Sequence, residues 1–150
     1  MFSIKSYTGG FAMTNGYLLT FDSGKHLLVD APEGISEILE KAEVKLTALF
    51  LTHLHYDHSI DAAAVKKSQG CPIFSFAELS EDLTLESLGR LPVGVPKFEV
   101  DQLLEGESEL RVEGCCDFEL LHVPGHSPDS LCFRPNVGTE EYSKVLFGGD

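Results

Sequence analysis

Four side chains that commonly bind metal ions lie within one short segment, residues 52–58, whose sequence is THLHYDH. They are His53, His55, Asp57 and His58, and they include three of the six histidines of the chain. Imidazole and carboxylate groups at this density suit a divalent transition metal, with zinc as the first expectation. A surface histidine cluster without a metal is the alternative, but chance should produce this pattern in roughly one such chain in several thousand.

The flanking sequence predicts that this segment is a loop between a strand and a helix. Residues 46–51 form an apolar run that is typical of a buried strand. Residues 59–68 are typical of a helix, and Gly70 marks its end. The loop therefore begins where a sheet holds the backbone in place.

The local geometry of this loop decides which side chains can meet. Side chains two residues apart on extended backbone point the same way, so His53, His55 and Asp57 are predicted to converge on one point. His58 would turn away into the first helical turn. Because a helix N-terminus disfavours a cation, we expect His58 to be neutral and free to bind a metal.

Two later strand ends carry further residues of the same chemical type. His126 follows a predicted strand at residues 118–123 in a tight Pro-Gly turn, which leaves its side chain little freedom. Asp150 follows a predicted strand at residues 144–147 and two glycines, which allow a close approach of the backbone. Each signal is weak alone, but three predicted strand ends now carry side chains of metal-binding types.

The other two histidines have ordinary interpretations. His26 begins the second strand of a predicted hairpin, after a turn at residues 22–25 in which Gly24 can take a positive φ. We expect His26 to be exposed there. His122 lies within a predicted strand, and we expect it to pack against neighbouring side chains or to support the site rather than to bind a metal.

The remaining sequence predicts an α+β chain with a mixed sheet and helices packed outside it. Residues 35–42 place their apolar side chains on one helical face. Residues 78–91 are polar and weakly helical, and packing is favoured there over a lid. The predicted strands are residues 2–7, 15–21, 26–30, 46–51, 71–76, 98–100, 110–112, 118–123, 130–134 and 144–147.

The composition fits a single domain over residues 1–150. The chain is 43% hydrophobic and 23% charged, a balance typical of globular proteins. Its formal net charge of −13 repels nucleic acids and anionic membrane surfaces, so neither is an expected partner. The four cysteines form no Cys-x-x-Cys pair, and we expect free thiols in a reducing compartment. Neither a leader-like stretch nor a membrane-spanning one is visible, so we expect a cytoplasmic protein.

The chain resembles the metallo-β-lactamase superfamily, and within it the glyoxalase II (hydroxyacylglutathione hydrolase) group. Three motifs carry the resemblance: THxHxDH at residues 52–58, PGHSP at residues 124–128 and FGGD at residues 147–150. Asn15 and the sequence LVD that ends at Asp30 are also similar to this superfamily. The resemblance implies an αββα sandwich with a two-metal site along one edge.

The resemblance also assigns roles to the candidate residues. The implied ligands are His53, His55 and His126 for the first metal ion, Asp57 and His58 for the second, and Asp150 for both. Asp30 would orient the histidine loop, as residues behind metal ligands generally do. The expected cofactors are two divalent metal ions, with zinc favoured and iron or manganese as alternatives.

Two departures from the family pattern bear on these expectations. Family members supply one more histidine to the second metal from a strand beyond the aspartate, whereas this sequence has no histidine after His126. We therefore expect a sandwich that lacks its last strands and helix, with an incomplete second metal site and an open sheet edge. The other departure is Asp129, where relatives often carry glycine. Because aspartate tolerates the left-handed conformation, we expect this turn to survive.

The implied activity is hydrolysis by metal-bound hydroxide, with Asp57 orienting the water or accepting its proton. A metal ion makes this nucleophile available because it lowers the pKa of bound water to about 7. A small-molecule thioester is the favoured substrate, since a thiolate leaves near its own pKa of roughly 8.5 without a strong general acid. The oligomeric state is left open.

Several alternatives stay open in the sequence. A β-lactamase is disfavoured because no secretion signal is visible, and a nuclease is disfavoured by the net charge of −13. A single-iron oxygenase, similar to persulfide dioxygenases, would need only His53, His55 and a carboxylate such as Asp150. A non-catalytic metal-binding domain is favoured by the missing histidine and the short length.

Overall fold

Two sheets and three helices make up the part of the chain that the computed structural model describes, residues 1–91, 93–137 and 144–150. The first sheet contains, in spatial order, β1 (Phe2–Gly9), β2 (Thr14–Phe21), β3 (His26–Val29), β4 (Ala48–Phe50), β5 (Ile73–Ser75) and β6 (Gln102–Leu103). The second sheet contains β7 (Glu109–Leu110), β8 (Asp117–His122) and β9 (Leu131–Asn136). The helices are α1 (Ile35–Lys41), α2 (Tyr56–Ser59) and α3 (Ala62–Gln69), and a 3₁₀ turn covers Glu86–Leu88.

The strand directions follow from the connections between strands. β1, β2 and β3 pair antiparallel, and the turn between β2 and β3 uses Gly24 with a φ of 79°, as predicted. β3, β4, β5 and β6 pair parallel, with α1 in the first crossover and α2 and α3 in the second. Parallel pairing places the ends of β3 and β4 at the same edge of the sheet. No helix in the described ranges is long and apolar enough to cross a bilayer.

The first sheet is the middle layer, because its strands bury side chains on both faces. Leu27 and Val29 of β3 pack in the core shared with the second sheet, whereas Leu28 between them packs in the core shared with the helices. Ile35 and Leu39 of α1 belong to the helix-side core. This alternation is the period of two that a strand imposes on its side chains.

The core between the sheets is centred on Phe50 of β4, which is fully buried. Its ring lies 5.2 Å from that of Phe118 in β8 and 5.0 Å from that of Phe133 in β9, measured between ring centroids. The described residues thus form helix, sheet and sheet layers, in agreement with the αββα sandwich that the resemblance implies. Leu121, on the other face of β8, is 38% exposed.

Asp101 changes where the chain joins the edge of the first sheet. The predicted strand at residues 98–100 is wrong, and the pairing strand is β6. The carboxylate of Asp101 accepts hydrogen bonds from the N–H of Ile73, at 2.7 Å, and from Nζ of Lys66, at 2.8 Å. With this anchor the pairing strand begins at Gln102, four residues after the predicted start, and Phe98 packs in the helix-side core instead.

Two other predicted elements are shorter or less regular than expected. Residues 78–91 form turns and the 3₁₀ turn rather than a longer helix. Thr84 in this segment is buried, and its carbonyl accepts the N–H of Tyr56 at 3.3 Å, so the segment packs onto the start of α2. The predicted strand at residues 144–147 is reduced to a single bridge between Phe147 and Phe133.

Candidate metal centre

The loop after β4 and the turn before β9 are joined by a backbone hydrogen bond. The N–H of Leu131 donates to the carbonyl of Thr52 at 2.7 Å. His53 directly follows Thr52, and His126 lies in the turn that leads to Leu131. Pairing between the two segments therefore brings together histidines that are far apart in the sequence.

His53, His55 and His126 form a group, which we call the three-histidine group. The ring centroids of His53 and His55 are 4.6 Å apart, and those of His55 and His126 are 4.5 Å apart. One nitrogen of each ring lies within 4.8 Å of the others. His53 and His55 are buried, whereas the side chain of His126 is 41% exposed, so the group is reached from one side.

Asp57, His58 and Asp150 form a second group, which we call the carboxylate group. Nε2 of His58 lies 3.4 Å from Oδ2 of Asp57 and 3.6 Å from Oδ1 of Asp150. The other oxygen of Asp150, Oδ2, lies 3.8 Å from Nε2 of His126. The carboxylate of Asp150 therefore lies between the two groups, in the shared position that the family resemblance implies.

Asp57 does not converge with His53 and His55, as simple alternation predicted. The backbone is still extended at His55, with a ψ of 145°, but α2 begins at Tyr56. Alternation of side chains ends where the helix begins, so the side chain of Asp57 joins His58 instead. The local pattern alone gave the wrong partner for this carboxylate.

The buried carboxylate of Asp30 sets the orientation of residues in both groups. It accepts hydrogen bonds from the backbone N–H of Thr52, at 2.7 Å, and from its hydroxyl, at 2.8 Å. It also lies 2.8 Å from Nδ1 of His58, which must donate because a carboxylate can only accept. Since the Thr52 hydroxyl donates to Asp30, it accepts from Nδ1 of His53 at 3.2 Å. Both histidines thus carry their lone pair on Nε2.

These two Nε2 atoms provide a test of whether the residues fit metal ions. Nε2 of His53 and Nε2 of His58 are both buried, and neither has a hydrogen-bond partner among the described residues. A buried polar atom without a partner costs about 1–3 kcal/mol. One such atom belongs to each group, and a cation bound to either group would give its nitrogen a partner. The donor set of imidazoles and carboxylates is the one that divalent transition metals use, so the residues fit.

Burial controls the charge of the three-histidine group. Burial, reinforced by repulsion from the neighbouring histidines, lowers the pKa of His53 from 6.5 to about 2. Burial also lowers the pKa of His55, and the charge of His126 acts in the same direction. The buried members are therefore neutral near pH 7, as metal ligands must be.

His58 behaves differently from the prediction that the helix dipole keeps it neutral. Burial lowers the pKa of His58, but the hydrogen bond and the charge of Asp30, with the charges of Asp57 and Asp150, outweigh this effect and raise it overall. α2 has only four residues, so its dipole is small beside these carboxylates. In the metal-free protein, a proton therefore competes for His58.

Three residues that sequence reasoning missed or misjudged also contact the groups. Thr14, which is buried at the start of β2, donates its hydroxyl to Oδ2 of Asp57 at 2.5 Å. The turn at Asp129 is kept, as expected, although Asp129 has no positive φ, and its carboxylate accepts the N–H of Leu54 at 2.9 Å. Gly149 lies so close to His53 that a Cβ would be 2.6 Å from Nδ1. The sequence carries a signal for Gly149, as one of two glycines before Asp150, and for Asp129, as a departure from the family pattern, but none for Thr14.

The other two histidines lie outside both groups. His26 is half-buried rather than exposed, and its Nδ1 lies 3.0 Å from the hydroxyl of Thr20. The ring of His122 stacks on Phe76 with centroids 4.1 Å apart, and its Nε2 donates to the carbonyl of Pro128 at 2.8 Å. His122 thus packs on Phe76 although it is exposed, and it belongs to neither group, as expected.

A cleft of about 340 Å³ opens beside the carboxylate group. One wall is the start of β2 and the residues before it, including Met13, Thr14 and Tyr17, and the other is Gly148, Gly149 and Asp150. A larger groove of about 480 Å³ lies on the second sheet, where Arg134 and Glu119 form an ion pair. That groove is lined by none of the metal-ligand candidates, whereas the smaller cleft is lined by Asp57, His58 and Asp150.

The sandwich and the paired ligand groups at its edge are those of the metallo-β-lactamase fold. The chain belongs to the metallo-β-lactamase superfamily, whose family model matches residues 9–150. It is 33% identical to hydroxyacylglutathione hydrolase GloC of Haemophilus influenzae over 142 residues, which are 88% of this chain and 64% of that protein. The chain therefore spans somewhat less than two thirds of this relative.

Two solved structures are similar in both sequence and fold. The B3 metallo-β-lactamase BLEG-1 is 28% identical, with a TM-score of 0.80 over 97% of this chain and 70% of that one. TTHA1623 in a di-iron-bound form is also 28% identical, with a TM-score of 0.66 over 86% of this chain and 65% of that one.

Proposed function

We propose that this protein is a two-metal hydrolase of small-molecule thioesters. The observation that carries the proposal is the position of Asp150, whose two oxygens lie 3.8 Å from His126 and 3.6 Å from His58. The carboxylate of Asp150 thus connects the three-histidine group to Asp57 and His58. Such a pair of adjacent sites is the arrangement that two-metal hydrolysis requires.

The residues of each group have distinct parts in the proposed site. The three-histidine group would hold one cation, and Asp57 with His58 would hold the other, with Asp150 shared. Divalent cations there supply a Lewis acid for the substrate carbonyl and lower the pKa of bound water to about 7. We favour zinc, and the di-iron form of TTHA1623 makes iron the main alternative.

Asp57 is the residue proposed to manage the proton of the attacking water. Thr14 restrains its Oδ2, and in the described contacts Oδ1 has no protein partner. The side chain is 24% exposed and lines the cleft, so water and substrate can reach the carboxylate. A carboxylate held by one oxygen can orient water, or accept its proton, with the other.

A thioester suits this site better than a substrate with a poor leaving group. A thiolate leaves near its own pKa of roughly 8.5 and needs no strong general acid. The likeness to GloC, a hydroxyacylglutathione hydrolase, supports the same class of bond. The net charge of −13 supports a small molecule rather than a nucleic acid as partner, and the four free cysteines support a reducing, cytoplasmic location.

β-Lactam hydrolysis is the second candidate, because BLEG-1 is similar over nearly the whole chain. The same groups would act on an amide bond, whose amine leaving group needs a proton. A single-iron oxygenase is less well supported. It requires two histidines and a carboxylate at one metal, whereas His126 completes the first group with a third imidazole.

The test combines metal analysis with matched substrates. The purified protein is expected to contain two divalent ions per chain and to cleave S-lactoylglutathione or a simple thioester faster than a chromogenic cephalosporin. His55→Ala is expected to lose both bound metal and turnover, whereas His26→Ala, outside both groups, is expected to keep them. Turnover that survives in His55→Ala would contradict a metal-dependent reaction, and cleavage of the cephalosporin alone would favour the second candidate.

A further inference from the structure

We propose that Asp129 is a positioning residue, which holds the turn of His126 against the loop of His53 and His55. In this way it sets the spacing of the three-histidine group. The inference deepens the proposed function and rests on it, because the spacing matters only if this group holds a metal ion.

The contacts of Asp129 connect the two loops beside the histidines themselves. Its carboxylate is 2% exposed, and Oδ2 accepts the N–H of Leu54 at 2.9 Å. Oδ1 accepts the hydroxyl of Ser127. Leu54 lies between His53 and His55 in the sequence, and Ser127 directly follows His126. The carboxylate of Asp129 therefore connects a residue beside His53 and His55 to a residue beside His126.

A second restraint shows why this link is needed. The backbone bond between Leu131 and Thr52 joins the same two segments at their base, where the sheets meet. A single hydrogen bond leaves two loops free to pivot about it, whereas two bonds at different points fix their relative orientation. Asp129 supplies the second bond, two residues further out along the loop that carries the histidines. Ligand geometry must hold to within about 0.5 Å, so a pivot at the base would spoil it.

The charge of the carboxylate strengthens this link. Hydrogen bonds to an ionised acceptor are roughly twice as strong as bonds between neutral groups. An asparagine at the same place would preserve the connection without the charge, since its amide oxygen can accept from Leu54 and its NH₂ can donate to Ser127. An alanine would remove the connection altogether. Comparison of the two variants therefore separates the link from the charge.

The test is a titration of the metal-free protein with Co²⁺, followed by visible absorption. The signal of the three-histidine group is assigned as the part lost in His126→Ala. Asp129→Ala is expected to weaken this signal's apparent affinity about 10- to 100-fold, the usual effect of removing a residue that orients metal ligands. Asp129→Asn is expected to stay close to the unsubstituted protein. Asp101→Ala is the matched control, because Asp101 also ties two backbone segments together, at Ile73, away from the histidines.

Each outcome decides the matter. The positioning role is wrong if Asp129→Ala binds Co²⁺ as tightly as the Asp101→Ala control does. It is also wrong if Asp129→Asn loses as much Co²⁺ affinity as Asp129→Ala. In both cases the proposed function stands. If the unsubstituted protein binds no Co²⁺, the proposed function fails and this inference fails with it. Circular dichroism checks folding. If Asp129→Ala does not fold, Asp129→Ser takes its place, because the short serine hydroxyl does not reach Leu54. Asp129→Ser is expected to show the same loss of Co²⁺ affinity. An unchanged Co²⁺ affinity in Asp129→Ser would overturn the proposal.

Discussion

The carboxylate of Asp30 lies 2.8 Å from Nδ1 of His58 and 2.7 Å from the backbone nitrogen of Thr52, the residue before His53. One buried acid thus restrains a histidine of the carboxylate group and, through Thr52, a histidine of the three-histidine group. Asp30 itself has a φ of 61°, a left-handed conformation that few non-glycine residues adopt. Strain of this kind persists only where the surrounding contacts require it.

Substitution of Asp30 is therefore expected to affect both stability and metal binding. Asp30→Ala removes one partner of a buried charge pair with His58, which typically costs about 3–5 kcal/mol of the free energy of unfolding. Urea denaturation of the metal-free protein measures this loss, and metal analysis should show weaker binding at both groups. Asp22→Ala, at an exposed ion pair with the N-terminus, is the control and should change little. Equal stability of the two variants would contradict the role assigned to Asp30.

Thr14 is expected to act on the rate of the reaction through Asp57. Thr14→Val keeps the shape of the side chain but removes the hydroxyl that donates to Oδ2 of Asp57 at 2.5 Å. Since a hydrogen bond to a charged group is worth about 1.5–3 kcal/mol, kcat/KM for the best thioester should fall about tenfold or more, mainly in kcat. Thr14→Ser restores the hydroxyl and should recover most of the rate. If the serine variant is as slow as the valine variant, packing rather than the hydrogen bond explains the effect.

The two glycines before Asp150 give a matched pair of substitutions. In Gly149→Ala, the new Cβ would lie 2.6 Å from Nδ1 of His53 and 2.7 Å from the hydroxyl of Thr52, so the ring must move. In Gly148→Ala, the nearest atom is Sγ of Cys132 at 3.3 Å, which needs only a small adjustment. We expect a large loss of metal affinity in the first variant and a minor one in the second, measured by competition with a chromophoric chelator. Similar affinities would show that His53 tolerates the displacement.

The metal-free protein is expected to lose stability as the pH falls from about 7.5 to 5.5. The pKa of His53 is about 2 in the folded state and 6.5 in a model peptide, so the unfolded chain takes up a proton that the folded chain does not. This linkage costs about 1 kcal/mol over that range. The raised pKa of His58 acts in the opposite sense. Its contribution to the free energy of unfolding is present at low pH and is lost as the pH rises.

The contribution of His53 can be isolated by comparison with His53→Gln. In urea denaturation with a chelator present, the unsubstituted protein should lose more stability between pH 7.5 and 5.5 than the variant does. A difference near zero would mean that His53 is accessible to protons in the folded state, contrary to its complete burial.

Much of the fold followed from local patterns in the sequence. The hairpin around Gly24, the strand at β4, the end of α3 at Gly70 and the motif histidines depend on backbone preferences and on the spacing of apolar residues, which are encoded locally. The strand at residues 98–100 was misplaced because Asp101, through a contact with Ile73, decides where the edge strand pairs. A local pattern carries no trace of such a contact.

The sequence by itself determined which side chains could bind metal ions and that they follow strand ends, because residue type and local backbone preference are properties of short segments. Only the tertiary structure decided how these side chains are grouped. Thr14 meets Asp57 across 43 residues, and Asp129 meets Leu54 across 75. The neutral state of His53 and the raised pKa of His58 likewise depend on burial and on charges brought in from other strands. Both arise only when the sheets close around the site, since neither burial nor a distant partner exists in an isolated segment.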